Sequence, residues 1–155
     1  MKDRNSRGTK ILSRFGWSAW IALGTTCSML GQTPSFYFSD STFHAFENGG
    51  GVDIAVFRAG DRTPAVTVDY STMNAIAVAG EDYVPQTGTL VFAAGETNKT
   101  LRISILDDGL VEGDEWFRVI LQNPTGGAVI PDPEDSGDAH VLIQDNEKPY
   151  VLRAH

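Results

Sequence analysis

Cysteine is nearly missing from this 155-residue chain, Cys27 being the only one. The sequence beyond it cannot close an internal disulfide, so something else must stabilise it. Histidine is also scarce. His44, His140 and His155 show no ligand spacing, which argues against a zinc site. There is no nucleophile–histidine constellation, Gly-Ser elbow or phosphate loop, and no sustained helical period from residue 36 onward. Cations are short as well. Residues 33–155 carry seven Lys and Arg against nineteen Asp and Glu. A body so acidic repels nucleic acid and anionic membrane surfaces and suits cations.

The missing cations concentrate at the other end. Lys2, Arg4, Arg7, Lys10 and Arg14 oppose only Asp3 in residues 1–32, and no charge follows from Phe15 through Ser39. A basic start, an apolar stretch and small residues beyond it predict a secretory signal, with a single anchoring helix as the alternative. No Ala-x-Ala marks a cleavage site. Residues 1–32 are therefore expected to be a signal peptide or N-terminal anchor of a secreted or cell-surface protein. Any membrane contact would run through that segment if it stays uncleaved.

What the body has is period two. "VDIAVF" puts Val52, Ile54 and Val56 on one face, and "AVTVDY" does so with Val66, Val68 and Tyr70. "TLVF", "TLRISIL", "FRVIL" and "HVLI" continue the alternation, and "SFYFSDSTFHAF" precedes them all. Seven short β-branched and aromatic runs result, separated by turn signals such as "AGDRTP", "AAGETN" and "NPTGG". Seven strands in about 110 residues predict an all-β fold, a seven-stranded antiparallel immunoglobulin-like sandwich.

If those strands alternate direction, every second connection falls at one pole. That pole would collect Glu47, Glu81, Asp82, Asp107, Asp108, Glu112, Asp114, Glu115, Asp145 and Glu147, with Lys148 the single cation in the same stretches. The segment "LDDGLVEGDE" alone holds five carboxylates in ten positions. Crowded like charges raise one another's pKa and repel. Without a cation, the loops at this pole should be loosely held. Calcium takes six to eight oxygens at about 2.3–2.6 Å in flexible geometry, whereas magnesium keeps more water. The alternative is an acidic rim that serves only solubility.

The stretch from "GEDY" through "GTLVF", the Gly-Glu-Thr turn, "LDDGLVEGDEWF" and a closing "QDN" closely resembles the Calx-beta domain, a calcium-binding repeat of sodium/calcium exchangers and many extracellular proteins. The resemblance places this domain at residues 36–147, with 148–155 as a linker or truncated tail. It implies Ca2+ as the bound ion. Its ligand pattern falls on Glu47, Asp82, Asp107 and Asp108, the carbonyl of Leu110, then Glu112, Glu115, Asp145 and Glu147. The family often ends Asp-Asn-Asp, and Glu147 replaces the last acid with a longer side chain. Asp114 and Glu81 lie in the motif but are expected to face solvent. Implied partners are calcium ions, neighbouring domains and cell-surface proteins, in adhesion, cell communication or domain rigidification.

Two other functions compete. Paired carboxylates such as Asp108 and Glu112 could serve glycoside hydrolysis, but a domain this small leaves little room for a substrate cleft. A calcium-free spacer would leave the acids merely solvated. The leading expectation is a non-catalytic calcium-binding module.

Overall fold

The computed structural model describes residues 32–132 and 136–147. The expectations for residues 1–32 and 148–155 fall almost wholly outside that range. The strands are β1 (Ser35–Phe38), β2 (Thr42–Phe46), β3 (Val52–Ala59), β4 (Val66–Met73), β5 (Thr87–Phe92), β6 (Asn98–Ile103), β7 (Glu115–Gln122) and β8 (Asp138–Gln144). They form a three-stranded sheet, β1-β3-β6, facing a five-stranded one, β2-β8-β7-β4-β5. Among the described residues the only helical element is a single 3-10 turn at Glu47–Gly49. No helix there is long and apolar enough to cross a membrane.

The sandwich has eight strands rather than seven because the first run divides between the sheets. β1 pairs antiparallel with β3, and β2 pairs parallel with β8. The break is local chemistry: "SDS" interrupts the apolar alternation, and the Asp40 carboxylate accepts the Thr42 N–H at 3.3 Å. This division supplies an edge strand to each sheet, and among the strand pairs of the described residues β2–β8 is the parallel one.

Alternation becomes burial. Phe36, Ile54, Val56 and Ile103 of the small sheet are fully buried against Val68, Phe92, Phe117, Val119 and Val141 of the large one. Phe36 and Phe92 meet across the gap with ring centroids 5.1 Å apart. Each such side chain contributes roughly 1.5–3 kcal/mol, which is how the domain does without a disulfide. Trp116 lies on the outer face of the large sheet, half-buried against the His140 ring at 4.7 Å.

The connections sort by pole as the alternation requires. The β2–β3, β4–β5 and β6–β7 links and the exit of β8 share one end. The opposite end is held by Arg58, only 2% exposed. Its guanidinium donates to the carbonyls of Asp61 at 2.7 Å, Pro64 at 2.8 Å and Ala93 at 3.3 Å. Arg58 thus ties the β3–β4 and β5–β6 links together. Hydrogen bonds from a buried charge are individually strong, and removing the donor strands three carbonyls. Arg58→Ala should cost about 2–4 kcal/mol. The loss in melting temperature should be equal in EDTA and in calcium, since the acidic pole is remote. A loss confined to one condition would contradict this division of labour.

Candidate metal centre

Glu47 is the centre of the acidic pole. It opens the 3-10 turn after β2, and Gly50 ends that turn at φ 70°, a left-handed conformation that glycine adopts without a Cβ penalty. The turn brings the Glu47 side chain inward, leaving it only 8% exposed. Glu47, Asp107 and Glu147 can bring three carboxylate oxygens within 4.8 Å of one another, and so can Glu47, Asp108 and Glu112. Oxygens each about 2.3–2.6 Å from one ion lie no more than about 5 Å apart, so both groups have calcium-sized spacing. Glu47 belongs to both. Around them a small cavity is lined by Glu47, Asp82, Glu112, Gly113, Glu115, Ile143 and Asp145.

All eight acids expected from the sequence therefore converge. Leu110 is the exception: its N–H donates to Asp108 Oδ1 at 2.7 Å and its side chain is exposed, while its carbonyl accepts no hydrogen bond among the described residues. Asp114 and Glu81 face solvent, as expected.

The electrostatics are those of uncompensated carboxylates. Burial raises the Glu47 pKa, and the charges of Glu147, Asp108 and Asp145 push the same way against one N–H from Asp108. Glu112 is raised by desolvation and then by Asp108, Asp82 and Asp145. Glu147 is raised by desolvation and by Asp145 and Asp107. Glu115 goes furthest, to about 7, through burial and then the facing Asp82 carboxylate.

Asp145 behaves oppositely. Its Oδ2 accepts N–H bonds from Gly113 at 2.8 Å and Glu112 at 3.0 Å, and its Oδ1 accepts that of Glu147 at 2.7 Å. Those donors, Gly113 and Glu147 foremost, lower its pKa. Asp145 thereby links the β6–β7 loop to the segment that follows β8. Three backbone donors, which a count of charges does not reveal, thus tie these loops together.

Three supporting residues, Tyr83, Asn74 and Asn146, hold the acids in place. Tyr83, the last residue of "GEDY", is fully buried, stacks on Phe117 at 3.9 Å and donates to Asn74 Oδ1 at 2.6 Å. Asn74 also accepts the Ala79 N–H at 3.0 Å, so the pair fixes the loop carrying Asp82. Asp82 adds its own clamp, accepting the Val78 N–H at 2.6 Å. Asn146 bridges Asn48 and Glu147. The tyrosine sat in the quoted motif, but its partner Asn74 carries no sequence signal.

The donor set fits a hard cation: every candidate ligand is an oxygen, and no thiol or imidazole lines the cavity. One buried atom adds to the fit. Glu147 Oε2 is shielded from solvent and receives no hydrogen bond. A buried carboxylate oxygen without a donor is costly unless a positive charge completes it.

Residues 31–147 match the Calx-beta domain family. The chain belongs to it. Within the Calx-beta family it is 43% identical over 88 residues to sodium/calcium exchanger 1 of Canis lupus familiaris, covering 56% of this chain and 9% of the exchanger. Against sodium/calcium exchanger 2 of Homo sapiens the identity is 46% over 88 residues, covering 56% of this chain and 10% of that one. The matched region is thus about a tenth of either exchanger. Among solved structures, the apo-form Calx CBD1 domain superposes with a TM-score of 0.70 at 33% identity, covering 74% of this chain and 99% of that one. The calcium binding domain CBD12 of CALX1.1 gives 0.67 at 34%, covering 71% and 44%. These likenesses agree with the immunoglobulin-like sandwich read from the strand pattern.

The raised pKa values set a pH dependence. Between about pH 4.5 and 7 the folded, cation-free domain keeps protons on Glu115 and its raised neighbours that the unfolded chain has released. Apo stability should therefore fall as pH rises through that window. Asp145, with its lowered pKa, loses its contribution only at lower pH, below the carboxylate's ordinary value near 3.8. Melting in EDTA from pH 5 to 8 should show the decline, and Glu115→Gln should flatten it near pH 7. A flat or rising wild-type profile would contradict the assignment.

Proposed function

We propose that the domain is a calcium-binding, non-catalytic module of an exported or cell-surface protein, serving adhesion, cell communication or domain rigidification. Its ligands are Glu47, Asp82, Asp107, Asp108, the Leu110 carbonyl, Glu112, Glu115, Asp145 and Glu147. The observation that carries this reading is the burial of Glu47 among other carboxylates. A rim kept only for solubility gains nothing by burying a carboxylate whose pKa is raised by that burial and then by three like charges. The likeness to a chain described as a calcium binding domain supports the choice of ion. The exported setting rests on the basic, then uncharged, composition of residues 1–39.

When bound, calcium supplies the positive charge that this pole lacks. The chain's own residues do the rest. Tyr83 and Asn74 hold the Asp82 loop, Asp145 gathers the β6–β7 loop, and the β2–β8 pair sets Glu47 beside the exit. Ligands drawn from four separate segments turn binding into a restraint on whatever follows residue 147.

Calcium should raise the melting temperature, and EDTA should reverse the rise. Ligand at about 100 times its Kd adds roughly 2.7 kcal/mol, several degrees for a domain of this size. Asp107→Asn with Asp108→Asn should abolish that rise while lifting the apo melting temperature slightly, because repulsion is relieved and the Asn oxygen can still accept the Leu110 N–H. Identical melting of the wild type in EDTA and in millimolar calcium would leave a calcium-independent spacer.

A further inference from the structure

We infer that Asn146 is a positioning residue of the cation site, acting through Glu147. The inference rests on the calcium reading above and deepens it. Asn146 Oδ1 accepts the Asn48 N–H at 3.1 Å, and its Nδ2 donates to Glu147 Oε1 at 2.6 Å. Only one orientation of the amide satisfies both bonds, since one needs an acceptor and the other a donor. A single side chain thus joins two segments 98 residues apart, and one of them is the turn that carries Glu47.

Glu147 is held twice. Its own N–H donates to Asp145 Oδ1 at 2.7 Å, while Asn146 commits Oε1. Oε2 is left buried and without a donor. The charges of Asp145 and Asp107 press against this carboxylate, and the Glu47 carboxyl faces it within the same group of oxygens. Few side chains can do this work. Alanine loses both bonds. Aspartate keeps the acceptor for Asn48 but sets a second negative charge against Oε1. Groups that orient a metal ligand commonly carry 10–100-fold in affinity without touching the ion.

The effect should be uneven. Glu147 belongs to the group with Glu47 and Asp107, whereas Glu47, Asp108 and Glu112 form a group without it. Calorimetric titration of the full chain with calcium tests this on wild type, Asn146→Ala, Glu147→Gln and the double variant. Wild type should bind in two classes. Asn146→Ala should weaken one class about 10-fold and leave the other within about 2-fold. On the Glu147→Gln background the same change should add less than about 2-fold, because the carboxylate it orients is already gone. An unchanged affinity overturns the inference, as does an equal loss on both backgrounds or a uniform loss from both classes. If Asn146→Ala melts well below wild type in EDTA, Asn146→Asp replaces it, since the Asn48 bond survives. It should weaken the same class, and a gain in affinity would mark position 146 as a ligand and overturn the positioning role. A wild type that binds no calcium would instead defeat the functional reading itself.

Discussion

Everything at the acidic pole depends on one constraint: the Glu47 carboxylate is buried among other carboxylates. Burial disfavours its charge, and so do Glu147, Asp108 and Asp145, against one N–H bond from Asp108. A fold can tolerate this only if the segments meeting there are pressed together by something stronger elsewhere. Here that is the hydrophobic core between the two sheets, which holds Glu47, Asp82, the β6–β7 loop and Asp145 at fixed strand ends. The scaffold holds these carboxylates together against their mutual repulsion, which a positive charge would relieve.

The pole is not simply a charged void. Backbone N–H groups from Glu112, Gly113 and Glu147 converge on Asp145, and Asn146 connects the exit to the turn after β2. These bonds fix the acids relative to one another, and groups already held in place lower the ordering that any binding must impose. They also divide labour among the acids. Asp145 is stabilised as an anion by donors, whereas Glu47, Glu112, Glu115 and Glu147 are left seeking positive charge or a proton. The same carboxylate chemistry thus serves as a structural staple at one position and as an open acceptor at the next. The opposite pole uses the inverse arrangement, with a buried Arg58 cation surrounded by carbonyl oxygens.

Much of this was legible in the chain itself. Period-two alternation from Val52 to Ile143 identifies the strands, because side chains on a pleated strand point alternately to core and solvent. Counting strands then assigns the acids to one end, and the family pattern names eight that do meet. The reading failed where the determining contact is distant. "SFYFSDSTFHAF" looks like one strand because its two halves share a period. It becomes two strands because β1 finds β3 while β2 finds β8. Asn146 has no neighbour in sequence that indicates Asn48 would lie across from it.

The sequence by itself determined which residues are apolar and at what spacing, how many acids lie in the connections, and that no disulfide could hold them. Those are local properties, fixed by composition and by the geometry of a single strand. Tertiary structure decided which acid is buried, which has donors and which is left without them. Glu47 and Glu147 are both glutamates in acidic turns, as are many surface residues. They differ from those only because strands 98 residues apart pair in parallel and close the pole over them. Desolvation and charge proximity depend on the distance between segments in space, and no short stretch of the chain contains that distance.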